Sequence, residues 1–202
     1  MTAPLEFWFD FASTYSYPAA MAVTERAAAR GVEVAWRPML LGPIFAAQGW
    51  RDSPFNIYPA KGAYMWRDME RICAAEGLAL RRPDPFPQHS LAAARLAILG
   101  CAEGWGEAFC REVFKAEFAE GRDISDPGTL AMLVKGAHGP ADAAERAFAE
   151  PNKTALKHQV ALAQQKGIFG APSFIVGDEL FWGFDRMEAA IAWAVDAQAP
   201  VR

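Results

Sequence analysis

The stretch FWFDFASTYSYP, residues 7–18, decides the fold. The apolar run at 5–9 predicts a buried strand, and an alanine-rich helical pattern follows it to Arg30. A strand that passes directly into a helix leaves free backbone N–H groups at the turn, and these groups and the helix dipole favour an anion there. Ser13 and Ser16 therefore stand where a hydroxyl can meet a negatively charged ligand.

Each of these serines also has a simpler interpretation as a helix cap, because serine is a frequent N-cap residue. For Ser16 we keep the cap interpretation, since Pro18 lies just inside the predicted helix. For Ser13 the spacing alone leaves both interpretations open.

Composition bounds the class of protein. A chain of 202 residues fits one domain with a sizeable insertion. A net charge of −4 argues against a nucleic-acid surface, and no apolar run is long enough to span a bilayer. The segment 1–6 has no cationic region and no signal-like apolar core, so we expect a cytoplasmic protein.

Neither cysteines nor histidines form a recognisable site. The cysteines are odd in number, far apart and without a Cys-x-x-Cys pair, which speaks against a disulfide framework: Cys73, Cys101 and Cys110. The histidines show no metal-ligand spacing: His89, His138 and His158. We expect no metal.

The first half of the chain predicts a βαβ unit followed only by helices. After Gly31 the alternation at 32–37 is typical of a strand, which we expect to be parallel to the first. From 38 to 166 there is no strand signal. Helices are predicted at 44–48, 61–75, 90–101, 105–120 and 153–166. Two more are predicted to begin at Asp126-Pro127 and at Pro140. Ser90 and Asn152 are the expected caps of the helices at 90–101 and 153–166.

The C-terminal part returns to mixed structure. A loop enters a strand at 170–176, Gly177-Asp178 forms a hairpin turn, and 179–182 returns as a strand. Asp185-x-x-Glu188 is typical of a capping box before a last helix to about Ala197. The order βαβ, helices, ββα predicts an α/β, thioredoxin-like fold with a large all-helical insertion. We place the discontinuous thioredoxin-like domain at 1–40 plus 155–202 and the inserted helical domain at 41–154.

Two positions of the thioredoxin-type fold hold functional residues, and both can be located in this sequence. Thioredoxin-type folds hold Cys-x-x-Cys at the first turn, where this chain has Ser13-Thr14-Tyr15-Ser16, so the redox pair is absent and a hydroxyl takes its place. They also hold a cis proline before the third strand, which predicts a cis Ala171–Pro172 bond. The backbone of Ala171 would then be free to pair with an extended peptide.

Four segments in order resemble the 2-hydroxychromene-2-carboxylate isomerases, relatives of kappa-class glutathione transferases and DsbA-like oxidoreductases. The resemblance covers essentially the whole chain. Its carriers are FDFASTYSY at 9–17, Asn56 with KGAYM at 61–65, GAPS at 170–173 and FWGFDR at 181–186. Each motif is weak alone, but four at family spacing are fairly specific.

The resemblance implies a glutathione site. Ser13 would hydrogen-bond the sulfur of glutathione and favour its thiolate. Ala171, beside Pro172, would bind the cysteinyl backbone, and Asn56 and Lys61 would meet the glycine carboxylate. Asp185, with the backbone N–H groups around Phe184 and Arg186, would hold the γ-glutamyl end. On the residues alone, Lys61 is also a solvated helix start and Asp185 is equally well explained as an N-cap.

The implied activity is a glutathione-dependent isomerisation between 2-hydroxychromene-2-carboxylate and trans-o-hydroxybenzylidenepyruvate, a step of aromatic catabolism. We expect a small aromatic carboxylate as substrate, no nucleic-acid or membrane partner and, by resemblance, a homodimer. One alternative is a kappa-type glutathione transferase or peroxidase. Another is a thioredoxin-fold binding protein without turnover. A disulfide oxidoreductase is the least favoured class, because no cysteine lies near the turn.

Overall fold

A mixed β-sheet forms the centre of the fold in the computed structural model, which describes residues 4–198. Its strands are β1 Leu5–Phe9, β2 Val34–Pro38, β3 Ser173–Val176 and β4 Glu179–Trp182, in the spatial order β2-β1-β3-β4. β1 is parallel to β2 and antiparallel to β3, and β4 is antiparallel to β3. The predicted βαβ…ββα order is confirmed. The ends of the predicted thioredoxin-like domain, 1–3 and 199–202, lie outside the described residues.

Helices make up the rest of the regular structure. They are α1 Ser16–Ala28, α2 Leu41–Ala47, α3 Pro54–Ile57, α4 Pro59–Ala75, α5 Leu91–Glu103, α6 Gly106–Phe118, α7 Pro127–Gly136, α8 Ala143–Ala147, α9 Glu150–Gln165 and α10 Met187–Gln198. A 3₁₀ turn, Phe184–Arg186, precedes α10. Helices α2 to α9 separate the two halves of the sheet in sequence, so the predicted all-helical insertion is confirmed. The described residues contain no helix long and apolar enough to cross a membrane.

Strand β1 is buried on both faces, which explains why its sequence is apolar except at the partly exposed Glu6. Successive side chains of a strand point to opposite faces. Phe7 and Phe9 accordingly join one core cluster, and Trp8 joins a second one with residues of α2 and α9. The sheet is therefore covered by helices on both sides, and the turn after β1 is held between two packed layers.

The inserted helices share the core of the sheet. The ring of Phe114 on α6 lies 5.7 Å from that of Phe9 and 5.0 Å from that of Phe11. The sheet and the insertion are thus packed as one unit around the turn that follows β1. The predicted boundary between residues 154 and 155 falls inside α9.

Helix starts were predicted less well than helices. Asp126 caps α7 as expected, accepting a hydrogen bond from the Thr129 N–H at 2.6 Å. Ser90 occupies the N-cap position of α5, but its side chain makes no capping bond. The cap assigned to Ser16 is wrong, because α1 begins at Ser16 itself and its hydroxyl is buried without a partner in the described residues.

Two further capping predictions are wrong. Asn152 lies within the first turn of α9, where its buried amide donates to the carbonyls of Arg95 and Ala147 at 2.9 and 2.8 Å. It therefore joins α9 to its neighbours instead of starting the helix. Asp185 lies inside the 3₁₀ turn, which Gly183 opens without a side-chain cap. Helix α3 was not predicted, since four residues are too short to show a periodic pattern.

Candidate active site

The turn between β1 and α1 presents the Ser13 hydroxyl to the loop before β3. The Ser13 N–H donates to the Asp10 carbonyl at 3.0 Å, and the Ser16 N–H donates to the Ser13 carbonyl at 3.1 Å. The hydroxyl of Ser13, which is 8% exposed, donates to the Ala171 carbonyl at 3.0 Å. Ser13 thus faces the position where thioredoxin-type folds hold their conserved proline, and its hydroxyl is not used as a helix cap.

The Ala171–Pro172 bond is cis, as the sequence predicted. The loop around it is fixed on both sides. The Ser173 hydroxyl donates to the Gly170 carbonyl at 2.8 Å, and the Gly183 N–H donates to the Pro172 carbonyl at 2.9 Å. The expectation that the Ala171 carbonyl is free is wrong in this structure, because Ser13 already occupies it.

Free donors surround Ser13. Within residues 4–198 the N–H groups of Thr14 and Tyr15 have no backbone acceptor, as expected for the residues that enter a helix. The turn lies at the N-terminal end of the 13-residue helix α1, where the helix dipole is positive and favours an anion. The turn therefore offers a hydroxyl and two amide donors to a negatively charged atom.

A cavity of about 1370 Å³ opens beside this turn. It is larger than the roughly 300–1000 Å³ typical of small-molecule sites, so it can hold two ligands side by side. Ser13, Lys61, Ala171, Phe184 and Asp185 all line it. The structure thus brings five of the predicted site residues to one cavity from four separate parts of the chain.

Three predicted site residues do not line this cavity. The Asn56 amide instead donates to the carboxylate of Asp52 at 3.2 and 3.3 Å. Pro172 lies behind Ala171, and Arg186 pairs with Asp185 at 3.5 Å. Pro172 and Arg186 thus lie next to lining residues without lining the cavity, and the structure gives no support for Asn56 as a ligand contact.

Lys61 and Asp185 provide opposite charges on the cavity wall. The Lys61 ammonium lies 4.7 Å from the centre of the Tyr58 ring, a cation–π contact that holds it on the wall. The Asp185 side chain is 74% exposed, and its ion-pair partner within the described residues is Arg186. Such an exposed pair is weak, so the carboxylate stays available to a ligand cation. Arg51, which the sequence did not single out, adds a second cation to the lining.

Asp10 ties the turn to the facing wall. Its carboxylate accepts the Leu41 N–H at 2.7 Å and the Ala12 N–H at 3.1 Å. Burial raises the pKa of Asp10, while bonds from Leu41, the Ser90 hydroxyl and Ala12 oppose the rise. Because Leu41 is the first residue of α2, Asp10 caps that helix from a distance and fixes it against the Ser13 turn. The sequence contained Asp10 in the decisive stretch but gave no sign of this role.

Tyr15 adds a polar contact at the cavity wall. Its hydroxyl donates to the Asp68 carboxylate of α4 at 3.1 Å. Burial, and then the nearby charge of Asp68, raise the pKa of Tyr15, so the phenol stays neutral. Tyr15 therefore joins the Ser13 turn to α4, the helix that carries Lys61. The described residues hold no cluster of side chains suited to a metal ion.

Comparison with known proteins identifies the family of the chain. Residues 4–191 match the model of the DSBA-like thioredoxin domain. A 2-hydroxychromene-2-carboxylate isomerase of Sphingobium xenophagum is 28% identical over 97% of this chain and all of its own length. The enzyme of the same name from Pseudomonas putida is 27% identical over 91% of this chain and 90% of its own.

Comparison with solved structures gives the same fold. A solved structure of a 2-hydroxychromene-2-carboxylate isomerase superposes with a TM-score of 0.85 at 24% identity, over 95% of each chain. The resemblance stated from the four sequence motifs is thereby confirmed, and the names of the relatives support an isomerase. With its sheet order, its cis proline and a family match over nearly its whole length, the chain belongs to the DsbA-like thioredoxin-domain family.

Proposed function

We propose that this protein is a glutathione-dependent isomerase that interconverts 2-hydroxychromene-2-carboxylate and trans-o-hydroxybenzylidenepyruvate. The observation that carries the proposal is the Ser13 hydroxyl, held beside a cis-proline loop on the wall of a large cavity, in a chain without a cysteine at that turn. The names of two relatives that match over nine-tenths of the chain or more supply the reaction.

The donor set of the cavity fits glutathione. Its thiolate needs hydrogen-bond donors, and Ser13 with the N–H groups of Thr14 and Tyr15 supplies them. Its ammonium needs an anion, and its carboxylates need cations. Asp185 and Lys61 supply these charges from the lining of the same cavity. The remaining volume is bounded by apolar side chains of α2 and of the segment 86–91, which suit an aromatic ring.

The Ser13 hydroxyl has one proton, so it cannot donate to Ala171 and to a thiolate at the same time. In the structure it donates to the Ala171 carbonyl. When it turns toward a sulfur, that carbonyl loses its donor and becomes free to accept the cysteinyl N–H of the peptide. On binding, the Ser13 hydroxyl would therefore exchange the Ala171 carbonyl for the sulfur. The Ala171 carbonyl would exchange the Ser13 hydroxyl for the cysteinyl N–H.

Bound glutathione would supply a thiolate that adds reversibly to the conjugated double bond of the open-chain substrate, which permits rotation about that bond. Ser13 and the neighbouring N–H groups hold the charge at this atom, and the packed walls of the cavity keep the ring beside it. A free thiol has a pKa of about 8.5, so these donors act by lowering that value.

The test compares Ser13→Ala with the wild-type protein. We expect turnover of a benzylidenepyruvate to require glutathione and to fall at least about 100-fold in the variant, a loss typical of removing one positioned donor. The thiolate absorbance of bound glutathione should appear at higher pH in Ser13→Ala. Equal turnover and an unchanged thiolate titration would contradict the role of Ser13.

A second substrate separates the alternatives. Conjugation of an aryl halide without isomerisation would make the protein a glutathione transferase. Glutathione binding with no turnover of either substrate would leave a binding protein. Turnover of the benzylidenepyruvate without added thiol would contradict glutathione dependence.

A further inference from the structure

Two large aromatic side chains on the cavity wall remain exposed. Trp182, at the end of β4, is 53% exposed, and Phe169 is 45% exposed. Their rings lie 5.0 Å apart at an angle of 59° and form one continuous aromatic surface. Aromatic rings bury large areas when they find a partner, so two exposed rings side by side in a cavity indicate a ligand surface.

The backbone places Trp182 next to the cis-proline loop. Trp182 is opposite Ser173 in the β3–β4 ladder, and the following N–H, that of Gly183, donates to the Pro172 carbonyl at 2.9 Å. A Cβ atom added at Gly170 would lie 2.5 Å from the indole Nε1. The indole therefore rests against Gly170, and only a glycine at that position leaves room for it.

This position is adjacent to the reacting atoms of the proposed mechanism. Ala171, the residue after Gly170, accepts the hydroxyl of Ser13 at 3.0 Å. Because the indole of Trp182 rests against Gly170, a substrate ring stacked on Trp182 would lie near the Ala171 carbonyl that Ser13 contacts. Apolar residues of α2 and of the segment 86–91 also line the cavity and add to the apolar surface that such a ring could meet.

The indole N–H of Trp182 is also available. The indole groups of Trp8, Trp36 and Trp105 donate to side chains of Glu6, Thr24 and Glu103. Within residues 4–198, that of Trp182 has no acceptor. Trp182 can therefore offer an apolar face and a hydrogen-bond donor to the same ligand.

We propose that Trp182 and Phe169 form the platform on which the aromatic ring of the substrate stacks, and that the Trp182 N–H donates to an oxygen substituent of that ring or of its side chain. The proposal rests on the proposed function, since it assigns the substrate surface of the same site. It makes Trp182 a determinant of substrate specificity and leaves glutathione to the residues named above.

The test uses Trp182→Ala, Trp182→Phe and a matched control, Trp193→Ala. Trp193 is 47% exposed, but it lies on α10, contacts Phe181 and is not part of the cavity wall. We expect Trp182→Ala to raise KM for a benzylidenepyruvate on the order of 10-fold, the loss of one stacking partner. The Kd of glutathione, measured by calorimetry, should change less than about two-fold by the same reasoning.

The other variants separate face from donor. Trp182→Phe keeps an aromatic face without the N–H, so its KM should lie between those of the wild-type protein and Trp182→Ala. Trp193→Ala should leave KM unchanged. If Trp182→Ala weakens glutathione binding as much as it raises KM, the indole contacts the peptide and the platform is wrong. If KM is unchanged in both Trp182 variants, the platform is also wrong.

A binding measurement keeps this result separate from the proposed function. 3-(2-Hydroxyphenyl)propanoate, an aromatic acid without a conjugated double bond for the thiolate to attack, is titrated into the protein saturated with glutathione. Trp182-dependent binding without isomerase turnover would overturn the proposed reaction and support the platform. If the protein turns over the substrate but the Trp182 variants bind the acid as tightly as the wild-type protein does, the reaction is supported and the platform is overturned. If the wild-type protein neither binds this acid nor turns over the substrate, both are overturned.

Discussion

Replacing Glu117 by glutamine is expected to change how stability depends on pH. Glu117 lies on α6, is fully buried, and neither of its carboxyl oxygens has a hydrogen-bond partner in the described residues. Burial, and then the charges of Asp10 and Asp123, raise the pKa of Glu117 well above its ordinary value. The folded protein therefore holds this proton at pH values where the unfolded chain has lost it.

The sign follows from proton linkage. Between the ordinary pKa of 4.5 and the raised pKa, the folded state binds one proton more than the unfolded state, so stability falls as pH rises. A single proton gives a slope of about 1.4 kcal/mol per pH unit. Glutamine has no such proton. The free energy of unfolding of Glu117→Gln, relative to the wild-type protein, should therefore rise by up to about 2.7 kcal/mol between pH 5 and pH 7.

Thermal unfolding at the two pH values measures this change. For a chain of this size 1 kcal/mol corresponds to about 2–4 °C in Tm, so the difference in Tm between variant and wild type should grow by roughly 5–10 °C. Its sign at pH 5 is not diagnostic, since the buried amide brings a desolvation cost of about 1–3 kcal/mol of its own. The control is Glu112→Gln on the same helix, because the Glu112 side chain is 42% exposed and pairs with Lys115 at the surface.

We expect Glu112→Gln to shift stability by no more than about 0.5 kcal/mol at either pH, as for an ordinary surface substitution. If the difference between Glu117→Gln and the wild-type protein is the same at pH 5 and pH 7, Glu117 releases its proton as easily when folded as when unfolded. The reasoning from its burial would then be refuted.

The remaining predictions concern the predicted glutathione contacts and one misassigned cap. Lys61→Ala should weaken glutathione binding and make it less sensitive to salt, with Tm unchanged, because the ammonium lies on the cavity wall; calorimetric titration at two salt concentrations measures both. Asp185→Asn should lower glutathione affinity without loss of Tm, since Asp185 does not cap α10; unchanged affinity would remove it from the site. Ser16→Ala should be neutral or stabilise the protein by up to about 1 kcal/mol, because its hydroxyl is buried without a partner. A loss of about 1 kcal/mol in chemical unfolding would restore the cap interpretation.

The fold was predictable because its signals are local and periodic. The apolar run of β1, the alternation of β2 and the hairpin at Gly177-Asp178 each appear within a few residues, and their order defines the topology. The cap prediction for Asn152 failed because its side chain bonds to a residue far away in the sequence. Asn152 would cap a helix by its residue type, but it bonds to the Arg95 carbonyl, 57 positions away.

Two of the predicted residues that line the cavity, Ser13 and Ala171, follow from local sequence signals, whereas Lys61, Phe184 and Asp185 follow from the resemblance. Ser13 stands at a strand-to-helix turn and Ala171 precedes a proline before a hairpin, so both could be placed without knowing the packing. Asn56 was assigned from the resemblance alone, and the structure turns its amide to Asp52. The partners of Asp10 could not be found from sequence, because Leu41 and Ser90 meet it only through the packing of α2 and α5.

The buried carboxyl groups of Asp10 and Glu117 affect how strongly Ser13 would have to stabilise the thiolate of the proposed function. Asp10 lies three residues before Ser13 and accepts its N–H through the backbone carbonyl. Burial raises the pKa of Asp10, and the hydrogen bonds that its side chain accepts from Leu41, Ser90 and Ala12 offset part of that rise. An ionised Asp10 would oppose the thiolate of the proposed function at this turn, and the rise in its pKa on burial lessens that opposition. Burial, and then the charges of Asp10 and Asp123, raise the pKa of Glu117, which favours its neutral form and so adds no second negative charge near Asp10. In the proposed function, the Ser13 hydroxyl and the N–H groups at the start of α1 are the donors that would stabilise the thiolate, and we expect removal of the Ser13 hydroxyl to cost more turnover than removal of any other single donor in the cavity.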